Sequence, residues 1–329
     1  MRDKGEHIFS IRNEEEFNGS CLEIFQLQAD QNPVYAEYLS LLKVDPRAVN
    51  TPDQIPFLPI EFFKSHRVIT GTKSPQVVFE SSGTTGQQPS KHFVISTKRY
   101  RQSMVENFRN SYGDPAKLCI LALLPSYLER KNASLVYMMD HLVNLSGHPD
   151  SGFYLDDLQG LSQVLNKRNK DGHPTLLLGV SFALLDLAEK HPAPLNDNVT
   201  VMETGGMKGR RKEMIREELH SALGKAFSKN AIHSEYGMTE LLSQAYSTGK
   251  GVYTPPPWMK VLTRDLYDPN ALLPPGRSGG INIIDLANRW SCSFIATADV
   301  GKAYKDGSFE ITGRFDQAEI RGCNLMVAQ

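Results

Sequence analysis

The sequence lacks any apolar stretch long enough to cross a membrane. Its longest continuous apolar run, residues 118–124, is far shorter than the roughly 20 residues that a membrane-spanning helix needs. The first residues, MRDKGEHIFSIRNEEEF, contain no apolar segment of the kind found in secretory signal peptides. We therefore expect a protein with no transmembrane segment and no secretory signal.

The sequence also contains few cysteines and carries almost no net charge. Both observations exclude classes of function. The four cysteines lie far apart without a Cys-x-x-Cys pair, which argues against a disulfide framework or a zinc site and predicts a reducing, cytoplasmic location. The formal net charge of −1 over 329 residues gives no electrostatic reason to expect binding to nucleic acid or to an anionic membrane.

Strand and helix signals alternate through the middle of the chain. Continuous apolar runs at residues 118–124, 175–180 and 199–202 predict strands that are buried on both faces. The apolar spacing predicts helices at residues 97–108, 135–145, 182–190 and 212–227. This alternation predicts an α/β fold with mainly parallel, helix-covered sheets, in which ligands bind beyond the carboxyl ends of the strands.

Composition divides the chain into three parts. Residues 1–75 have helical spacing followed by several prolines, which predicts a helical lead-in that becomes irregular. Residues 76–254 form the predicted α/β body. In residues 255–329 short β-like runs replace the helical spacing, and the Asp306-Gly307 pair predicts a hairpin between two of them. We expect a smaller β-rich subdomain here, ending in the segment around Cys323.

The stretch FESSGTTGQQPSK, residues 79–91, is the most informative part of the sequence. Its two glycines, Gly83 and Gly86, let the backbone take conformations closed to other residues. Successive N–H groups and hydroxyls in such a run can surround a phosphate. The hydroxyls here are those of Ser81, Ser82, Thr84 and Thr85. The spacing is not that of a Walker P-loop, and the composition is also typical of an ordinary surface turn.

The stretch HSEYGMTE, residues 233–240, places the Glu240 carboxylate beside the Thr239 hydroxyl after a predicted strand. Hard oxygen ligands of this kind suit Mg²⁺ and phosphate oxygens. A Thr-Glu pair on its own is more often the start of a helix. The Mg²⁺- and phosphate-binding interpretation of this stretch therefore needs support from other parts of the chain.

An acid and a cation lie at two later predicted strand ends. Asp299 belongs to IATADVGK, residues 295–302, while Arg314 and Asp316 belong to ITGRFDQAEIRG, residues 311–322. Such a pair can hold a ribose, because a carboxylate accepts hydrogen bonds from hydroxyls. Each charge taken alone is more typical of a solvated turn.

Together, these stretches resemble the signature series of the adenylate-forming superfamily, which includes acyl-CoA synthetases, adenylation domains and luciferases. SSGTTG is similar to its phosphate loop, YGMTE to Tyr-Gly-x-Thr-Glu, TAD to Thr-Gly-Asp and GRFD to Gly-Arg-x-Asp. METGG, residues 202–206, resembles the Gly-Gly turn of its adenine and acyl pocket. Order and spacing agree over about three-quarters of the chain, so the resemblance implies the superfamily's N-terminal-type domain.

A narrower resemblance is to the LuxE-like acyl-protein synthetases of bacterial bioluminescence. Four stretches carry it, namely IPFLPIEFFK, FESSGTTG, SEYGMTELLSQAYS and IRGCNLMV. In that family ATP activates a fatty acid, and the acyl group then passes to a cysteine near the C-terminus. The matching position here is Cys323. A free cysteine is more often a buried apolar residue, whereas a nearby cation such as Arg321 raises the thiolate fraction.

The resemblance implies a role for each matching residue. Ser82, Thr84 and Thr85 would hold the β- and γ-phosphates of ATP, and Thr239 would contact the α-phosphate. Glu240 would hold Mg²⁺ and, with Thr239 and Cys323, would form the catalytic set. Asp299 and Arg314 would fix the ribose. The nucleotide site would also include Ser81, Gly83, Gly86, Lys91, Gly205, Gly206, Tyr236 and Gly237.

Two features depart from the superfamily pattern. The loop closes through Gln87-Gln88-Pro89-Ser90-Lys91, which is longer than usual and leaves the role of Lys91 open. The mobile C-terminal domain with its catalytic lysine is expected to be absent, as it is in LuxE-like proteins.

We therefore expect an ATP-dependent fatty acid–protein ligase that supplies an acyl reductase, acyl carrier or transferase protein. The alternatives are a ligase that delivers the acyl group to coenzyme A or a carrier protein, and a non-catalytic acyl-binding partner.

Overall fold

The computed structural model of the chain describes residues 6–81, 88–125, 132–205 and 214–315. Within these ranges the strands form a mostly parallel sheet, a mostly antiparallel sheet and a separate two-stranded hairpin. The helices are α1 (Glu14–Gln31), α2 (Pro33–Leu41), α3 (Phe62–Ser65), α4 (Thr97–Tyr112), α5 (Ser134–Ser146), α6 (Leu158–Asp171), α7 (Ser181–Lys190) and α8 (Arg216–Phe227).

The strands follow the same chain order. They are β1 (Leu58–Pro59), β2 (Val77–Glu80), β3 (Lys91–Val94), β4 (Cys119–Leu123), β5 (Gly152–Phe153), β6 (Thr175–Gly179), β7 (Val199–Glu203), β8 (His233–Tyr236), β9 (Ala245–Ser247), β10 (Val252–Tyr253), β11 (Met259–Arg264), β12 (Ser278–Asp285), β13 (Phe294–Ala303) and β14 (Phe309–Arg314). Strands β2 and β3 form the separate hairpin.

The mostly parallel sheet has the order β5-β4-β6-β7-β8-β9, and only β9 runs antiparallel to its neighbour. Strands β4 and β6 are buried along their whole length, because helices cover both faces of the sheet. Alternate residues of β4 point to opposite faces: Ile120 joins one hydrophobic cluster with α4 and α5, and Leu121 joins another with α6, α7 and α8. The predicted helix-covered α/β fold is confirmed.

The mostly antiparallel sheet is built from the last third of the described chain. Its order is β10-β14-β13-β12-β11, and β1 pairs with β13 in parallel. The turn between β13 and β14 contains the predicted Asp306-Gly307 pair, with Gly307 at a φ of 85° that glycine adopts without steric cost. The predicted hairpin is therefore present.

The lead-in contributes to the same core as the later sheets. Ile8 and Phe25 share one hydrophobic cluster with Phe294 and Phe309 of the antiparallel sheet. The side chain of Gln28, which is fully buried, donates to the carbonyls of Asn288 and Arg289 at 3.1 Å each. The three-part division of the chain stays a prediction.

Two local predictions were wrong. Helix α8 begins at Arg216, so Met214 and Ile215 lie before it, 37% and 62% exposed. Their apolar spacing continues that of the helix, but the acidic Glu217 and Glu218 mark its true first turn, where they interact favourably with the helix dipole. Asp299 lies within β13 rather than at its end, because this strand continues to Ala303.

None of the helices in the described ranges is both long and apolar enough to span a membrane.

Candidate active site

Glu240 lies in the turn after β8, at the carboxyl edge of the mostly parallel sheet. Its side chain is buried, with Oε1 accepting a hydrogen bond from the Ser90 hydroxyl. Its main-chain carbonyl accepts a hydrogen bond from Asn288 Nδ2 at 2.8 Å. Burial raises the pKa of the Glu240 carboxyl, while the Ser90 hydrogen bond and the charge of Arg314 act in the opposite direction. The carboxylate is therefore held in one place before any ligand binds.

Thr239 is held from the same side by strand β3. His92 Nδ1 lies 2.9 Å from the Thr239 carbonyl oxygen, and its Nε2 lies 2.9 Å from the Ser291 hydroxyl. A carbonyl oxygen only accepts, so Nδ1 carries the proton and Ser291 donates to Nε2. Burial lowers the pKa of His92 to about 4, which keeps the ring neutral. Ser90 and His92 thus position the two residues of the Thr-Glu pair.

The predicted phosphate loop is described only at its two ends. Ser82, Gly83, Thr84, Thr85 and Gly86 lie outside the described residues. At the ends, the Ser81 N–H donates to the Ser90 carbonyl at 3.0 Å, and the Ser90 N–H donates to Ser81 Oγ at 2.9 Å. These two bonds clamp the base of the loop next to Glu240. Lys91 Nζ lies 3.4 Å from Glu80 Oε1 on the neighbouring strand, so the structure shows it in an ion pair.

Asp299 and Arg314 face each other across β13 and β14 as direct register partners. Arg314 Nε lies 3.2 Å from Asp299 Oδ1, and the Tyr236 hydroxyl donates to Asp299 Oδ2 at 2.7 Å. Asp299 is buried, whereas the Arg314 side chain is 71% exposed. Burial and then the Asp299 charge raise the pKa of Tyr236 well above its usual value, so its hydroxyl remains a donor.

The turn after β7 contains Gly205 at a φ of 71°, a conformation that favours glycine. The Gly205 N–H donates to Glu203 Oε2 at 2.6 Å. Burial alone would raise the pKa of Glu203, but hydrogen bonds from His220, Ser234 and the Gly205 N–H bring it below its usual value. Gly206 lies outside the described residues.

Gly237 lies close to the Glu235 side chain. A Cβ atom at this position would collide with Glu235 Oε1. The backbone of the Tyr-Gly turn therefore passes directly over the Glu235 side chain.

Asp285 and Asn288 support the site, and neither was predicted from the sequence. Asp285 is fully buried and accepts from the Leu242 N–H at 3.0 Å and the Ser243 N–H at 2.9 Å. Asn288 Oδ1 also accepts from the Leu242 N–H, at 3.1 Å. Both residues thus fix the chain just after Glu240. The available signal in the sequence was an acid at the end of the apolar strand β12, Asp285, followed closely by an amide, Asn288.

The described motifs meet at one edge of the molecule. Arg314 and Asp299 are close enough to Glu240 for their charges to act on its pKa, Arg314 lowering it and Asp299 raising it. The clamp between Ser81 and Ser90 adjoins Glu240 through the Ser90 hydroxyl. Stretches that are far apart in sequence therefore converge on a single candidate site.

Glu240 supplies one buried carboxylate beside the base of the predicted phosphate loop. Among the described residues no group of three or more His, Cys, Asp or Glu side chains could hold a metal. Mg²⁺ commonly binds through one or two carboxylates together with substrate phosphates. A single carboxylate beside a predicted phosphate loop fits that mode.

Three of the four cysteines are unsuited to act as nucleophiles. Cys21, Cys119 and Cys292 are buried, and burial raises their thiol pKa values to about 12, 11 and 12. A thiolate is the reactive form, so these environments suppress reactivity. Cys323 lies outside the described residues.

The family model described as "Acyl-protein synthetase, LuxE" matches residues 9–329 of the chain. None of the curated proteins matches this chain. Solved structures of adenylate-forming enzymes do match. One is 2-hydroxyisobutyryl-CoA ligase in complex with R3-HIB-AMP, with a TM-score of 0.65 and 10% identity over 92% of this chain and 68% of that one.

Two further structures share the fold at comparable identity. ATP-bound MatB from Rhodopseudomonas palustris has a TM-score of 0.53 and 16% identity, covering 72% of this chain and 47% of that one. The long-chain-fatty-acid-CoA ligase FadD1 from Archaeoglobus fulgidus has a TM-score of 0.53 and 15% identity, covering 75% of this chain and 52% of that one. The chain thus spans about half the length of these two proteins, and the likeness establishes the adenylate-forming fold.

Proposed function

The chain belongs to the LuxE family of acyl-protein synthetases, and from this premise we propose that it activates a fatty acid with ATP and transfers the acyl group to a cysteine thiol. The observation that carries the proposal is the convergence of Glu240, the Asp299–Arg314 pair and the clamped base of the predicted phosphate loop. A carboxylate for a metal, a ribose-binding acid and a phosphate loop are what an adenylating site requires.

In the first step, a carboxylate oxygen of the acid attacks the α-phosphorus of ATP. A new bond forms between that oxygen and phosphorus, the bond between the α-phosphorus and the bridging oxygen breaks, and pyrophosphate leaves. Ser82, Thr84 and Thr85 hold the β- and γ-phosphates, and Thr239 contacts the α-phosphate. Catalysis of such a displacement consists largely of positioning and charge stabilisation. The fixed main chain at Thr239 and Glu240 supports this role, since neither residue must be reordered.

The nucleotide is held at its other end by Asp299 and Arg314. Asp299 accepts hydrogen bonds from the ribose hydroxyls, and the exposed guanidinium of Arg314 approaches from the next strand. Tyr236 keeps the Asp299 carboxylate in place. The turn at Gly205 and Gly206 contributes to the adenine pocket.

Glu240 is the residue that would hold Mg²⁺. When bound there, the ion would neutralise charge on the phosphates during the displacement. Burial raises the pKa of the Glu240 carboxyl, and a divalent cation bound there would favour the ionised carboxylate.

In the second step, the thiolate of Cys323 attacks the acyl carbon of the adenylate. A thioester bond forms, the bond from the acyl carbon to the phosphate oxygen breaks, and AMP leaves. Two observations support Cys323. The other three thiols are buried with raised pKa values, and Arg321 lies two residues away in the sequence. The thioester would then supply an acyl reductase, carrier or transferase, in a reducing cytoplasm.

The test is acid-dependent exchange between ATP and radiolabelled pyrophosphate, across a panel of short, long-chain and aromatic acids. We expect Mg²⁺-dependent exchange, which Glu240→Ala should reduce by roughly 100-fold or more, as expected for a lost electrostatic contact in the transition state. Glu106→Ala, on α4 with a side chain that is 42% exposed, is the matched control and should leave the rate unchanged. Absence of exchange with every acid would refute the proposal and favour a non-catalytic acyl-binding protein.

A further inference from the structure

A cavity of about 190 Å³ lies between the lead-in and the mostly antiparallel sheet. Parts of the segments 42–57 and 269–272 line it, together with Asn282 of β12. None of its described lining residues belongs to the candidate active site. An engineered cavity of about 150 Å³ binds benzene, so this one has room for a molecule the size of a substituted benzene. We refer to it as the lead-in cavity.

The lining changes in character between the mouth of the lead-in cavity and its base. Asp53 and Asn270 are exposed and lie at the mouth. Ile55 and Phe57 are buried and form apolar walls. Asn282, which is fully buried, lies at the base. A molecule that fills the cavity therefore meets apolar side chains over most of its surface and one amide at its inner end.

The orientation of the Asn282 amide is fixed by its neighbour on β11. Arg264 Nη1 lies 2.8 Å from Asn282 Oδ1, and a guanidinium only donates, so the amide oxygen faces Arg264 and the amino group points away from it. Asn282 Nδ2 is buried and makes no hydrogen bond to any described residue. Its register partners, Leu262 and Ala296, have apolar side chains on the same face of the sheet. The sheet thus offers this donor no acceptor.

Arg264 accounts for the Asn282 oxygen but not for its amino group. The guanidinium also donates to the carbonyls of Ile281 and Thr297, at 2.6 Å each. An aspartate at position 282 would accept from Arg264 equally well, since carboxylate oxygens are acceptors. The amide instead retains a donor, and an unpaired buried donor destabilises the fold because it has lost water without gaining a partner. An acceptor on a bound molecule would remove this cost.

The charges around the lead-in cavity favour a neutral molecule. Asp53 alone is charged among the described residues of the lining, and its carboxylate at the mouth disfavours an anion. At the base, the guanidinium of Arg264 lies behind the Asn282 oxygen and stays protonated in proteins, so it disfavours a cation.

We propose that the lead-in cavity is a binding site for a small neutral molecule that has an apolar body and a carbonyl-type oxygen. The oxygen accepts a hydrogen bond from Asn282 Nδ2, and the apolar body packs against Ile55 and Phe57. This site is separate from the candidate active site, and the inference does not rest on the proposed adenylation reaction.

The experiment is calorimetric titration of the full chain, without ATP or acid, with four probes built on one benzene ring. Acetophenone is neutral and has an acceptor, ethylbenzene has none, benzoate is an anion and benzylamine is a cation. We expect acetophenone to bind most tightly, with a Kd about 10-fold below that of ethylbenzene, as one additional hydrogen bond to a buried donor provides.

Two variants locate the binding. Asn282→Asp keeps an acceptor for Arg264 and removes the donor, so it should abolish the preference for acetophenone over ethylbenzene. Leu42→Trp places a larger side chain in the lining and should raise the Kd of acetophenone by more than about 10-fold, because it occupies the space of the ligand. Leu145→Trp on α5 is the matched control, since Leu145 is 38% exposed and Leu42 is 37% exposed. It should leave the Kd unchanged, and thermal unfolding of each variant reports whether it is folded.

Four results would overturn the inference. They are no binding of any probe, acetophenone binding no tighter than ethylbenzene, a charged probe binding most tightly, and an unchanged Kd in folded Leu42→Trp. None of them bears on adenylation, because the titration contains neither ATP nor acid. Conversely, absence of pyrophosphate exchange would refute the proposed function and leave this site intact.

Discussion

Asp299 shows how a single residue has both a structural and a proposed binding role. Its two carboxylate oxygens contact different partners, the Tyr236 hydroxyl and the Arg314 guanidinium. Its side chain is 10% exposed and that of Arg314 is 71% exposed, so the pair presents its positive end to solvent. The buried acid is thus oriented by its neighbours before any nucleotide binds.

Asp299→Ala and Arg314→Ala should each weaken ATP binding by roughly 10-fold, the size expected for a lost hydrogen bond to a charged group. In the proposed site both residues serve one ribose, so the double variant should lose less than the product of the two single effects. Calorimetric titration with ATP measures all three values.

Lys302 and Glu310 provide the matched control for this cycle. They form a 2.9 Å ion pair as register partners on the same two strands. Lys302→Ala and Glu310→Ala should leave ATP affinity unchanged. If the Asp299 and Arg314 variants behave in the same way, neither residue belongs to the nucleotide site.

His92 makes the stability of the protein depend on pH. Its pKa is about 4 in the folded protein, against an ordinary value of 6.5. Between these values the unfolded chain binds the proton that the folded ring does not bind, so the free energy of unfolding falls as the pH falls. At pH 5 this amounts to about 2 kcal/mol relative to pH 7.5.

His92→Gln should remove this part of the pH dependence. Urea unfolding at pH 7.5 and pH 5 should show the wild-type protein losing about 2 kcal/mol more than the variant between the two conditions. The variant is also expected to be less stable at pH 7.5, since the paired ring is lost. Equal losses in both proteins would mean that His92 is not held neutral.

At the scale of elements, strand β3 connects the predicted phosphate loop to the Thr-Glu pair. Ser90, just before the strand, binds both Ser81 at the other end of the loop and the Glu240 carboxylate. His92, two residues later, binds the Thr239 carbonyl. Alternate residues of a strand point to the same side, which is why one short segment reaches both members of the pair.

Ser90→Ala should raise the Mg²⁺ concentration for half-maximal pyrophosphate exchange by about 10-fold, as expected for the loss of one hydrogen bond to a charged group. Ser90→Thr retains a hydroxyl and should restore the value. Ser308→Ala, in the exposed turn before β14, is the control. If the Mg²⁺ concentration for half-maximal exchange is unchanged in Ser90→Ala, then Ser90 only holds the base of the loop together and does not tune the Glu240 carboxylate.

Elements with strong local signals were predictable from the sequence. Strand β4 is a continuous apolar run, and its burial on both faces follows from that pattern alone. The Asp306-Gly307 turn has equally local chemistry. The predicted start of α8 was wrong. The apolar spacing of the helix extends upstream of Arg216, where its first turn begins.

The sequence allowed the residues of the site to be predicted only as separate stretches, without the contacts that join them. The contacts of Asp285 and Asn288 with residues 240–243 join segments more than 40 positions apart, and no local pattern encodes them. The same holds for the Ser90 contact with Glu240, which spans 150 positions.

At the scale of the whole molecule, the two sheets and the lead-in surround one extended core. A single hydrophobic cluster runs from Ile8 to Phe309. Cys21 and Cys292 lie within this cluster, and Cys119 lies in the second one, beneath α6, α7 and α8. The two clusters together contain every cysteine of the described ranges, so an acyl group carried on any of them would have to displace packed side chains.

The last prediction therefore concerns which cysteine becomes acylated. Incubation with ATP, Mg²⁺ and a radiolabelled acid should label the protein through a bond that hydroxylamine cleaves, as a thioester requires. Cys323→Ser should lose this labile label and retain pyrophosphate exchange, because adenylation precedes transfer. Cys119→Ala is the control and should keep both, since that thiol is buried and its pKa is raised to about 11. A labile label that persists in Cys323→Ser would contradict the assignment, and exchange without any label, with transfer to added coenzyme A, would identify a free thiol as the acceptor.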